Sequence, residues 1–171
     1  MESEIFPLVD ENGKIIGKAS RETCHSGSFL LHPVVHLHII NSKGELYLQK
    51  RADNKDIQPG KWDTSVGGHV NFGETVLAAL LREVREELGI NQFSPFFIVK
   101  YKYTSDIESE LIHSYYAVYD GEIFPDPTEI SAGRWWNLQE ISAQIGKRIF
   151  TPNFEYEFNL LTNNKLLPNI R

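Results

Sequence analysis

Gly68-His-Val-Asn-Phe-Gly-Glu74, seven further residues, and then Arg82-Glu-Val-Arg-Glu-Glu-Leu-Gly-Ile90 form the stretch around which the chain is read. Glu83, Glu86 and Glu87 stand at i, i+3 and i+4, so at 3.6 residues per turn they share one helical face. Val76, Leu77, Leu80, Leu81, Val84 and Leu88 form the apolar stripe expected to be buried. Like charges four apart destabilise a helix by roughly a few tenths of a kcal/mol each. A solvated acidic face is the plain reading of such a cluster. The loop in front of it argues for a divalent cation with oxygen ligands instead. Glycines from Gly67-Gly68 through Gly73-Glu74 let backbone approach an ion or a phosphate. Glu74 can reach Arg82 across the loop-to-helix junction as an ion pair, and Gly89 stands where a left-handed cap is wanted.

The remaining composition restricts the function. With 171 residues, 41% hydrophobic and 23% charged, the chain suits one soluble domain spanning 1–171. A formal net charge of −6 argues against binding a nucleic-acid polymer, which needs a basic footprint. No run of about 18 apolar residues suggests a membrane span, and Met-Glu-Ser-Glu is not the start of a signal peptide. Cys24 is the only cysteine, which fits a reducing, cytoplasmic compartment. Monomer and homodimer are both compatible with the sequence.

Period-2 patterning predicts a hairpin around Asn12-Gly13, within an N-terminal segment of about 5–30. A second hairpin is expected from His32–Ile40 and Glu45–Lys50 around Asn41-Ser-Lys-Gly44, followed by a strand over 63–70. Phe96–Tyr103 and Leu111–Tyr119 read as strands. A short helix is expected near Leu138–Ile145 and a last one over about 152–164. Phe150, Phe154 and Tyr156 are candidates to lid a pocket, and the rings of Trp135 and Trp136 should diverge.

The 68–90 segment resembles the Nudix box, Gly-x5-Glu-x7-Arg-Glu-apolar-x-Glu-Glu-x-Gly-apolar, and fills each of its specified positions. That resemblance implies a Nudix α/β/α sandwich with a mixed β-sheet and a catalytic loop-helix-loop. It also implies one to three Mg²⁺ or Mn²⁺ ions bridging the glutamates and a substrate diphosphate. Glu83, Glu86 and Glu87 would be ligands, with the carbonyl of Gly67. Gly68, Glu74, Arg82 and Gly89 would be structural.

Six histidines form a second constellation: His25, His32, His36, His38, His69 and His113. His36 and His38 alternate with Val35, Leu37 and Ile39, so they share one strand face, which a simple polar face would also explain. Residues 5–150 more narrowly resemble the isopentenyl-diphosphate isomerase branch of the Nudix superfamily. The likeness is carried by Val9-Asp-Glu-Asn-Gly13, Leu48-Gln-Lys-Arg51, Pro59-Gly-Lys-Trp62, Ser65-Val-Gly-Gly-His69 and Glu108-Ser-Glu110. It implies a second divalent site on His25, His32, His69, Glu108 and Glu110. It also implies diphosphate contacts from Arg51 and Lys55, assisted by Arg21.

One departure matters. The isomerase uses a cysteine where this chain has Gly67, and a glycine has no proton to exchange with an alkene. Cys24, beside His25, is the only thiol that could replace it. The intact box and the missing thiol favour hydrolysis of a phosphoanhydride in a nucleotide, prenyl or cofactor diphosphate (EC 3.6.1.-), with a carboxylate as base. The base would be a box glutamate or a later acid, Glu110 or Glu108, with Glu129 behind them. The alternatives are an isomerase-like enzyme and a non-catalytic Nudix ligand-binding or sensor protein.

Overall fold

The computed structural model describes residues 2–168 and 170, so Met1, Asn169 and Arg171 of the expected 1–171 span lie outside the described residues. β1 (Ile5–Val9) and β2 (Ile15–Ser20) pair antiparallel as their own two-stranded sheet. Asp10 Oδ1 accepts the backbone N–H groups of Asn12 and Lys14, both at 2.9 Å, and Gly13 takes the positive φ that the turn needs. The hairpin ends at Ser20, short of the expected residue 30. The Ser20 hydroxyl accepts the Thr23 N–H and caps a one-turn helix, α1 (Arg21–Cys24).

The main sheet is mixed and seven-stranded, organised on the long buried strand β3 (Leu31–Ile40). β8 (Ser109–Val118) runs parallel to β3 along its whole length, and β7 (Phe96–Thr104) adds antiparallel to β8. β4 (Leu46–Arg51) follows β3 through the Asn41–Gly44 turn, but the expected hairpin pairs only at Ile40↔Leu46. β4 then pairs with β9 (Ile130–Trp136) and with the short β5 (Trp62–Asp63). The place on β3 is taken by β6 (Val66–His69). The strand expected over 63–70 is thus divided, because the chain crosses from β4 to β3 at Ser65. The Ser65 hydroxyl donates to the Tyr47 carbonyl and accepts the Ile39 N–H at 2.9 Å, which pins the crossing.

Helices cover both faces. α2 (Val76–Leu88) starts at the Thr75 cap and ends at Gly89, whose φ of 66° makes the left-handed cap. Ala79, Leu80, Val84 and Leu88 pack on Val35, Leu37, Ile39 and Val66. The stripe is narrower than the sequence suggested: Leu77 and Leu81 are exposed, and Ala79 takes a core place beside Leu80. The opposite face carries α3 (Leu138–Gln144), begun by an Asn137–Glu140 capping box, and α4 (Pro152–Asn163). Phe150, Phe154, Phe158 and Leu161 pack there on Ile40, Leu46, Leu48 and Trp136. Trp136 is buried in this second core, while Trp135 lies half-buried against the first. No helix among the described residues is long and apolar enough to cross a membrane.

This packing separates two adjacent leucines on α2. Leu80→Ala should lose about 2–5 kcal/mol of folding free energy in urea titration, and Leu81→Ala no more than about 0.5. Equal losses would show that the helix packs through another face.

Candidate active site

Two consecutive glycines divide the site. Successive residues of a strand face opposite sides; Gly67 pairs with His36 and Gly68 with Val35. On the α2 side, a Cβ on Gly68 would stand 2.7 Å from Glu83 Oε1, closer than real Cβ contacts, so the carboxylate occupies the space a side chain would fill. Glu87 lies beside it and accepts hydrogen bonds from Gln49 Nε2 at 3.4 Å and from the Gly67 N–H. Burial, and then the charge of Glu83, push Glu87 up to about 8. Burial also raises Glu83. Glu86 is the exposed member of the three.

Arg82 holds this group together. Its Nε and Nη2 donate to the two oxygens of Glu74 at 2.8 and 2.9 Å, and Nη2 also donates to the His69 carbonyl at 3.0 Å. Nη1 donates to Glu83 at 2.8 Å and to Glu86 at 3.3 Å. Glu74 is held below the usual carboxylate range by these bonds and also accepts the Asn71 N–H. The guanidinium therefore ties the loop, the end of β6 and the first turns of α2, and it partly neutralises two of the glutamates as well.

On the other side, α1, β3, β6 and the start of β8 bring together His25, His32, His69 and Glu108, one donor atom of each lying within 4.8 Å of the others. His25 Nε2 is 3.1 Å from His69 Nε2 and 3.0 Å from Glu108 Oε2, and His32 Nε2 is 3.6 Å from the same oxygen. His32 Nδ1 donates to the Leu30 carbonyl at 2.9 Å, so in the neutral ring Nε2 carries the lone pair. His32 Nε2 and Glu108 Oε2 are buried without a hydrogen-bond partner. Phe6 stacks on His69 at 4.5 Å between ring centroids. Burial lowers the pKa of both His32 and His69, which keeps those rings neutral. Neutral imidazoles converging on a carboxylate are a divalent-ion donor set. Ligand atoms about 2.1 Å from one ion stand roughly 3 to 3.5 Å apart, so the arrangement fits a bound cation. Glu110 lies outside this tight set. Burial, and then neighbouring Glu108, raise its pKa, and it faces a cavity.

That cavity, of about 560 Å³, is bounded by Gly67, Gly68, His25, His36, His69 and Glu110. Its lining mixes polar groups, among them Arg21, Arg51, Asp56, Asp63 and Asp106, with the apolar Val34, Ile57, Ile107 and Pro152. Arg21 also pairs with Glu4 at 2.8 Å, and Arg51 lies 3.7 Å from Asp63. Lys55 is not on the wall and pairs with Glu129, which occupies that acid too. Cys24 is fully buried off the wall, so its thiol does not stand in for the missing one. Phe150 and Phe154 are core residues rather than a lid, because the Thr151 cap turns them inward; Thr151, Pro152 and Asn153 of that turn reach the cavity.

One buried residue, Glu157, does not stand out in any motif. His36 Nδ1 and His38 Nε2 lie 2.9 and 3.0 Å from Glu157 Oε2, all three buried. The available signal was a glutamate set among Phe154, Phe158 and Leu161 on the apolar side of a helix. Burial disfavours a charged His36, but the charge and hydrogen bond of Glu157, with the charges of Asp63 and Glu110, together raise it to about 9, and the imidazoles hold Glu157 well below the usual range.

The chain resembles known proteins over most of its length. A family model described as the NUDIX domain matches residues 30–154. Isopentenyl-diphosphate Delta-isomerase 1 of Photorhabdus laumondii is 34% identical over 92% of this chain and 94% of its own length. The isopentenyl-diphosphate Delta-isomerase of Serratia proteamaculans is 34% identical over 81% of this chain and 79% of its own. The crystal structure of DR0079 from Deinococcus radiodurans superposes with a TM-score of 0.81 at 26% identity, covering 92% of this chain and 98% of that one. A MutT protein from Methanosarcina mazei, at 23% identity and TM-score 0.69, shares the fold over 79% of this chain and 95% of its own.

The raised carboxyl groups give a pH signature. A carboxyl whose folded pKa lies above its unfolded value binds its proton more tightly when folded, so its contribution is full at low pH and lost as pH rises. For Glu87 that window runs from the ordinary 4.5 to about 8. In EDTA, the thermal midpoint should fall across this window, and millimolar Mg²⁺ or Mn²⁺ should flatten the fall by binding the ionised form. A profile that Mg²⁺ and Mn²⁺ leave unchanged would remove the cation from the site.

Proposed function

The chain belongs to the Nudix superfamily, in its isopentenyl-diphosphate isomerase-like branch, and on that premise we propose that it is a metal-dependent diphosphate hydrolase. The observation that carries this reading is the complete, Arg82-clamped glutamate set beside Gly67, a position with no side chain to exchange a proton. Glu83, Glu86, Glu87 and the Gly67 carbonyl would hold Mg²⁺ or Mn²⁺. His25, His32, His69 and Glu108, with Glu110 adjoining, would hold a further divalent ion. A divalent ion bound there neutralises phosphoryl charge and makes a bound water more acidic.

The chain's own residues supply the rest. Arg51 and Arg21 bind the phosphate that does not react, as charged donors on the rim. Lys55 joins them only by leaving Glu129. Glu110 faces the cavity and takes the proton of the attacking water, its basicity raised by burial and by Glu108. Polar groups from Asp56 to Asn153 share the lining with Val34, Ile57, Ile107 and Pro152, so the cavity can take a diphosphate carrying either a polar or an apolar group. The partner is then a small-molecule diphosphate, and the single, buried Cys24 suits a cytoplasmic protein.

The named relatives favour a second reading, an isomerase-like enzyme, and the assembled His/Glu cluster is compatible with it. The two readings differ at Gly67. A Cβ there would lie 3.5 Å from His36 Cδ2, an ordinary contact, so a cysteine can be installed without displacing the backbone.

Phosphate and pyrophosphate release should be followed with Mg²⁺ or Mn²⁺ over nucleoside, sugar-nucleotide, thiamine and prenyl diphosphates. At least one should be cleaved, and Glu87→Gln should cut its turnover by at least about a hundredfold through lost charge stabilisation. A fully active Glu87→Gln variant would undo the metal assignment. Conversion of isopentenyl diphosphate to its allylic isomer by the wild-type chain would favour the second reading. Gain of that conversion only in Gly67→Cys would trace its absence to the missing thiol.

A further inference from the structure

Glu157 sits on α4 within the second core, among Phe154, Phe158 and Leu161, and is wholly buried. Among the described residues no Lys or Arg pairs with it. Its Oε2 is met by His36 Nδ1 and His38 Nε2, and the Tyr101 hydroxyl also reaches the carboxylate. A buried carboxylate without a Lys or Arg partner is costly, so its compensation falls to the imidazoles that touch it. His38 is enclosed on all sides, whereas His36 keeps one edge on the cavity wall. His36 is thus the ring of the pair that water and ligand can reach.

That open edge carries Nε2, which has no hydrogen-bond partner among the described residues. It faces the position of residue 67, where a Cβ would stand 3.7 Å away; with glycine present, nothing covers the nitrogen on that side. The rim arginines are engaged with Glu4 and Asp63, but this donor has no competing acceptor. We propose that His36 contacts substrate, donating from Nε2 to an anionic oxygen of the bound diphosphate, and that Glu157 is its positioning residue. The proposal rests on the diphosphate reading above. It assigns a binding function to a pair linked across 121 residues of sequence and lying outside the box and the His25/His32/His69 cluster.

The test uses the full chain labelled with ¹⁵N-histidine and titrated with inorganic pyrophosphate in the presence of Mg²⁺. Loss of one resonance set in His36→Gln, or in His36→Asn if the first variant folds poorly, assigns the ring. Pyrophosphate should shift the His36 Nε2 resonance saturably in the wild type, and Glu157→Gln should weaken that response. On the best diphosphate of the hydrolysis panel, His36→Gln and Glu157→Gln should raise KM about tenfold, as expected for one lost charge-assisted hydrogen bond, with kcat changed far less. Glu157→Asp should recover part of the KM. A His36 signal that stays fixed while pyrophosphate shifts other resonances would overturn the proposal and leave the hydrolase reading intact. So would variants that lose thermal stability with KM unchanged. A saturable His36 shift in a chain that hydrolyses no diphosphate would uphold this contact and reject the hydrolase reading.

Discussion

One guanidinium organises the acidic half of the site. Arg82 grips both oxygens of Glu74, the carbonyl that ends β6, and the carboxylates of Glu83 and Glu86. Without it, the glycine loop would lose its tie to α2, and the glutamates would repel one another at helical spacing. Its fork geometry matters as much as its charge. A lysine ammonium would neutralise a similar charge but could not fix loop, strand and helix in one plane. The loop needs such a clamp because its glycines lose much conformational freedom on folding.

The second constraint is the two-residue step Gly67-Gly68. One strand edge serves two chemistries because alternate residues face opposite sides of the sheet. Gly68 leaves room for Glu83, and Gly67 opens onto His36 and the cavity. Side chains here would fill the space through which the carboxylates on the α2 side and the imidazoles on the α4 side approach the same backbone. The sheet is thus both scaffold and divider. Parallel pairing of β3 with β8 in turn sets His32 level with Glu110, which brings Glu108 to the imidazoles.

The box was legible in the linear sequence because its chemistry is local. A loop, a helix turn and a cap fall within 23 residues, and helical periodicity alone places Glu83, Glu86 and Glu87 together. Most strands were legible for the same reason. The errors came where distant segments decide the outcome. Leu77 and Leu81 look as apolar as Leu80, yet α2 meets the sheet through Ala79, Leu80, Val84 and Leu88 and leaves them exposed. The β3/β4 hairpin opens because β6 competes for β3 and Ser65 pins the crossing. Lys55 matches a phosphate-binding position, but the fold supplies it with Glu129.

By its own pattern, then, the sequence determined the family, the glutamate helix and the identity of the histidines and acids available for a second cluster. Only tertiary structure decided that four of those five groups converge tightly while Glu110 turns to the cavity. It also decided that Glu157 reaches back to His36 and His38. The reason is one of range. Periodicity and capping act over one or two helical turns, whereas the partner of a buried charge is chosen by whichever element packs across from it.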